Sequence, residues 1–110
     1  MEVTRLAEAL PYEAPKHHGI AALRLHGGKQ TNAERMVVGL SHFLPGGGAD
    51  ESSSEAERVY VVLEGQITVT TEDGPIVLGP LDSCLIPPGE SRSVQNASNR
   101  PASMLVIAVP

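Results

Sequence analysis

Two runs rich in β-branched and aliphatic side chains, Arg58-Val-Tyr-Val-Val-Leu-Glu64 and Gln66-Ile-Thr-Val-Thr-Thr71, meet at Gly65. Such residues lose rotamer freedom in a helix and pack well on a pleated surface, so both runs read as strands. Gly65 predicts a tight turn and a hairpin between them, and Asp73-Gly74 is a further hairpin signal. Short extended runs follow at 76–78, 83–86, 92–95 and 102–108, set off by Gly, Pro and Asn. Upstream, 20–25 reads as a strand, 27–32 as a turn and 35–44 as a long strand. Alternation along that strand puts Met36, Val38, Leu40, His42 and Leu44 on one face and Val37, Gly39, Ser41 and Phe43 on the other. Many short strands without a long helical period predict an all-β chain, an antiparallel sandwich or closed barrel. Closure also removes edges that a Val-rich sheet would expose to aggregation.

The remainder of the chain fits around this framework as one domain over 1–110, with a lead-in at 1–19 and a barrel at 20–110. Thr4 followed by Leu6, Ala9 and Leu10 predicts a short helical turn capped by Thr4 and ended by Pro11. Pro11 to Pro15 is a proline-stiffened extended segment that delivers His17-His18-Gly19 to the first strand. Gly46-Gly47-Gly48 and the polar run 49–57 read as a flexible rim at the barrel mouth.

Bulk composition excludes several functions. The net charge of −5 and the scattered basic residues argue against nucleic acid as a partner. No apolar run is long enough for a membrane span. The single cysteine, Cys84, rules out an internal disulfide and suits a reducing compartment, so a cytoplasmic protein is expected. Aromatic residues are only 3% of the chain, so the core has to rest on Val, Leu and Ile.

Two stretches carry a family resemblance. Leu44-Pro45-Gly46, the acidic and serine-rich run after it, and Arg58 to Val69 resemble the first motif of the cupins, small β-barrel proteins. Leu81-Asp82 through Pro87-Pro88-Gly89 to Asn96 resembles the second. The resemblance runs from Arg35 onward and implies an antiparallel cupin or jelly-roll barrel, commonly a homodimer. Cupin motifs usually carry metal ligands: two histidines and a glutamate in the first motif, a histidine in the second. Anchored on Gly65, the glutamate position here holds Arg58, and the histidine positions hold Glu51 and Ser53, or Ser52 and Ser54. In the second motif Pro87, Gly89 and Asn96 match, whereas Arg92 stands at the histidine and Leu81 at the opening glycine. Arginine has no lone pair for a metal and stays protonated, so no cofactor is expected at the usual cupin site. Two escapes remain: a one-residue bulge that brings Glu57 inward, or a displaced divalent-metal site built from His17 or His18 with His26 and His42.

If the barrel forms as the resemblance implies, strand parity turns Arg58 and Tyr60 into its cavity, and Arg92 enters from another strand. Inward guanidiniums are costly unless paired. Either they grip the carboxylate or phosphate of a small-molecule ligand, or each pairs with an internal acid such as Glu57, Glu64 or Asp82. His42 is either a hydrogen-bonded core residue or an acid–base group in the same pocket. The expected ligand-binding residues are therefore Arg58, Tyr60, Arg92 and His42. The functional expectation is a metal-free module for a small anion. A cupin-type enzyme (isomerase, decarboxylase or dioxygenase) and a purely structural oligomerisation barrel are the alternatives.

Overall fold

The computed structural model describes residues 1–110 and contains nine strands and no α-helix. The strands are β1 (Leu10–Tyr12), β2 (His17–His26), β3 (Val37–Ser52), β4 (Glu57–Glu64), β5 (Ile67–Thr71), β6 (Gly74–Leu78), β7 (Ser83–Ile86), β8 (Arg92–Gln95) and β9 (Ala102–Val109). Every pairing between them is antiparallel. The hydrogen-bonded order is β6-β5-β8-β3-β9-β4-β7, with β2 on β3 and β1 on β2. The result is a nearly closed antiparallel barrel, as the strand pattern implied.

Strand β3 explains how one ladder wraps round. Its first half, from Val37 to Phe43, lies between β9 and β2. Its second half, at Gly48, Ala49 and Ser52, pairs with β8. The corner between the halves falls at Leu44-Pro45-Gly46, where Pro45 has no N–H for the ladder and Gly46 takes φ +80°. The glycine run after it is therefore not a mobile rim. Gly47 and Gly48 are buried strand residues, and a Cβ on either would run into the Gly19 or Val94 carbonyl respectively. Here the glycines permit close approach of backbones.

Gly65 also differs from expectation. It has φ +75°, but β4 and β5 do not pair with each other. β4 joins β7 and β9, while β5 joins β6 and β8. A positive φ reverses the chain sharply whichever sheet receives the next strand, so a glycine between two strands does not by itself make a hairpin. The hairpin at Asp73-Gly74 does form, with Thr71 opposite Gly74.

At the N-terminus a 3-10 turn, Leu6–Glu8, replaces the expected capped helix. The Thr4 hydroxyl donates instead to the Leu25 carbonyl at 2.6 Å, which docks the lead-in on β2. The core gathers Phe43, Tyr60, Val62, Ile67, Val69 and Met104 with their neighbours on the inner faces. Complete burial of Val62 and Ile67 contributes about 1.5–3 kcal/mol each. This core plugs part of the barrel and leaves the remainder open.

Candidate ligand-binding site

Above the plug lies a cavity of about 530 Å³, a size typical of small-molecule pockets. Phe43, Val94 and Met104 belong to both core and cavity, so they form its apolar floor. Arg58 and Tyr60 enter from β4, Arg92 from β8, and Ser52, Ser53 and Ser54 from the end of β3 and the loop after it. Alternation along β4 sets Arg58, Tyr60 and Val62 inward, because Val59, Val61 and Leu63 take the outer face.

The arginines are held by neutral oxygens. Arg92 donates from Nε to Tyr60 Oη at 3.0 Å, and from Nη1 to the Ser52 carbonyl at 2.9 Å and Ser52 Oγ at 3.3 Å. Arg58 donates from Nη2 to Ser54 Oγ at 2.9 Å, and its Nε is buried without a partner. Neither arginine meets a carboxylate; Asp50 Oδ1 lies instead 3.2 Å from His18 Nε2, on the surface. Glu57, Glu64 and Asp82 are exposed, and Asp82 accepts from the Gly79 amide at 2.9 Å instead. Internal acids therefore do not neutralise the pair. Burial, and then the charge of Arg92, pull the Arg58 guanidinium below its ordinary pKa.

His42 does not belong to this group. Ser41 and Phe43 face the cavity, so His42 points out between Ala21 and Ser103 of the flanking strands and is exposed. The histidine inside is His17. A bulge between His18 and Ile20, with Gly19 at φ +61°, shifts the parity of β2. Ile20 and Arg24 face inward on one parity, and His17 faces inward on the other. Burial, then Arg92, His18 and Arg58, lower the His17 pKa. The signal in the sequence was Gly19 directly after the histidine pair. Arg24 lies over the Tyr12 ring at 4.0 Å and closes another side of the cavity.

The histidines do not converge. His17 and His26 stand at opposite ends of β2, roughly 25–30 Å apart along an extended strand. His26 Nδ1 lies 3.3 Å from Thr31 Oγ1, and His42 faces outward. No three His, Cys, Asp or Glu side chains gather in the structure as a group that could hold a metal ion. Nor does a bulge bring Glu57 inward: it is exposed, opposite Val109, in unbroken register with Arg58. Cys84 is half-buried, and burial raises its thiol pKa, which fits a small core residue.

Asn96 anchors the end of β8. Its buried Nδ2 donates to the Leu44 carbonyl at 3.3 Å and the Arg100 carbonyl at 2.7 Å, while Oδ1 accepts from Ser98. These bonds tie β8 to the corner of β3. Residues 39–108, which hold this corner and both arginines, match the family described as Cupin domain. The chain belongs to the cupin family. A Mycobacterium tuberculosis protein named Beta-D-galactosidase Rv1717 is 43% identical over 106 residues, covering 96% of this chain and 91% of that one. Among solved structures, the polyketide cyclase RemF from Streptomyces resistomycificus superposes with a TM-score of 0.87 at 21% identity, over 99% of this chain and 79% of that chain. TT1209 from Thermus thermophilus superposes with a TM-score of 0.77 at 28% identity, over 100% of this chain and 98% of that chain. In this cupin the second motif opens with a turn in which the Asp82 amide donates to the Gly79 carbonyl at 3.0 Å. Leu81, at the third position of that turn, has φ +68°, the conformation that favours glycine.

Proposed function

We propose that this cupin binds a small organic anion in its barrel, with Arg58 and Arg92 holding a carboxylate or phosphate group. The observation behind this reading is a pair of cavity-facing guanidiniums without a carboxylate partner, one of them with a buried, unpartnered Nε. Such an arrangement is costly in the empty protein and favourable once an anion supplies the missing acceptors. Guanidinium N–H groups match two anionic oxygens in a fork, and the apolar floor accepts the less polar face of the ligand. Likeness to the mycobacterial protein named a β-D-galactosidase supports a sugar, and the two arginines support an acidic or phosphorylated one, whose hydroxyls suit Ser41 and the serines at the mouth. An open cavity of this volume with two arginines in its wall argues against a purely structural barrel.

We further infer that a divalent metal is not held where cupin motifs usually place one. Arg58 and Arg92 offer no lone pair and oppose a cation, and the serines around them are weak neutral donors. A homodimer is proposed from the half-exposed outer face of β4, continued by Leu85, which is 58% exposed. Sedimentation at twice 11.6 kDa is expected, and a monomer at micromolar concentration would contradict it.

The mycobacterial relative favours a second reading, hydrolysis of a β-D-galactoside. The usual mechanism sets two carboxylates across the glycosidic bond. Asp50 is the one carboxylate side chain lining this cavity, so hydrolysis here has to enlist Tyr60 or His17 as the second proton carrier. Thermal-shift measurements with D-galacturonate, D-galactose 6-phosphate and D-galactose, beside hydrolysis of nitrophenyl β-D-galactoside, separate the readings. The anion reading expects stabilisation by the two charged sugars alone. Turnover of the neutral galactoside, without stabilisation by the acids, would favour the second.

A further inference from the structure

We propose that His17 is the proton-carrying arm of the anion site: an anion settling between Arg58 and Arg92 brings a proton onto His17, so that anion and proton are taken up together. The proposal rests on the anion-binding reading above.

The geometry is set by the bulge at Gly19, which turns His17 into the cavity and leaves His18 outside, paired with Asp50. Charge around the imidazole is strongly one-sided. Arg92 of β8 and Arg58 of β4 act on it, Tyr60 of β4 and Tyr12 of β1 line the same cavity, and Arg24 lies seven residues along its own strand, over Tyr12. Lys16 and His18 flank it in sequence. The acids on β3 do little to offset this: Asp50 is engaged by His18, and Glu51 is exposed with its carbonyl accepting from Lys16 Nζ at 3.1 Å. Without an anion, the His17 pKa is therefore held below its ordinary value, by burial first and then by the fields of Arg92, His18 and Arg58.

A bound carboxylate or phosphate reverses that balance. It neutralises the guanidinium charge and places anionic oxygens where an imidazolium N–H can reach them. Linkage makes the effect reciprocal: whatever factor the anion adds to proton affinity, the proton adds to anion affinity. A rise of about one unit in the His17 pKa corresponds to about tenfold tighter anion binding at low pH.

The test uses the full chain and sodium sulfate, an anion whose own charge is constant from about pH 5 to about pH 8, the range in which histidine titrates. Histidine side-chain NMR follows each imidazole with and without saturating sulfate, and calorimetry gives the sulfate affinity at both ends of the range. The expected result is a His17 pKa that rises by about one unit or more in sulfate, with affinity about tenfold higher at the acidic end. In His17→Gln, sulfate still binds and its pH dependence shrinks to less than about twofold. His42→Gln, exposed on the outer face of β3, behaves as wild type. Sulfate that shifts the Arg58 and Arg92 Nε–H signals while His17 titrates unchanged overturns the proposal and leaves the anion site standing. Sulfate that shifts neither guanidinium at any pH overturns both.

Discussion

Arg92 on β8 donates its Nε–H to Tyr60 Oη on β4 at 3.0 Å, a bond across the barrel between strands that are not neighbours in the sheet. With Ser52 fixing Nη1, the guanidinium is oriented before any ligand arrives, and its Nη2 has no protein acceptor. Preorganisation of this kind lowers the ordering cost of binding.

Tyr60→Phe removes the acceptor and leaves the Arg92 Nε–H unpaired beside the apolar floor. We expect a loss of about 1–1.5 kcal/mol in anion binding, the value of one hydrogen bond. Calorimetry then reads roughly a five- to tenfold weaker Kd. An unchanged Kd would show that Arg92 needs no orientation by Tyr60.

Arg58 sets function against stability. Its buried Nε lacks a partner, and Arg92 adds like charge to the same cavity. Arg58→Met keeps much of the side chain's length and removes the charge. We expect the ligand-free protein to gain about 1 kcal/mol, because apolar replacement of poorly compensated charge is often stabilising. That corresponds to a Tm rise of about 4 °C for a chain of this size, together with loss of anion binding. A lower Tm would show that the Ser54 bond outweighs the unpaired charge.

Stability should also fall on the acid side through His17. Its folded pKa lies below the ordinary value of 6.5, so the unfolded chain binds more protons between the two. Stability is complete above that window and is lost as pH falls through it. Urea denaturation of anion-free protein on either side of the window is expected to show this loss in wild type and a shallower one in His17→Gln. Equal slopes would place the acid sensitivity elsewhere.

The barrel was legible in the sequence because alternation and Gly/Pro punctuation constrain strands locally. Inward placement of Arg58 and Tyr60 followed from the cupin resemblance anchored on Gly65 together with parity along their strand, and that of Arg92 from the resemblance alone. Long-range pairing was not legible. Gly65 has the same positive φ in a hairpin as in a crossing between sheets, so β4 and β5 were expected as neighbours. Gly47 and Gly48 read as flexible because the carbonyls of Gly19 and Val94 that press on them come from distant strands. His42 and His17 exchanged roles for related reasons. Their parity depends on which face of β3 looks inward and on a bulge in β2, and neither is a local property.

Leu81 tests the second motif from the backbone side. A left-handed φ costs an L-residue roughly 1–2 kcal/mol, partly offset because glycine loses more freedom on folding. At 79% exposure Leu81 has little packing to lose. Leu81→Gly is expected to be neutral or to gain up to about 1 kcal/mol in chemical denaturation. A clear loss would show that the leucine is covered, as by a second subunit.

The most direct test of the anion site is calorimetric titration with D-galacturonate beside D-galactose, which differ only in the carboxylate. We expect the acid to bind at least about tenfold more tightly than the neutral sugar, the difference one charge-assisted hydrogen-bond pair supplies. Arg58→Met with Arg92→Met is expected to abolish the preference. Equal affinity for the two sugars, or a preference for the acid that survives removal of both arginines, would contradict the anion-binding reading.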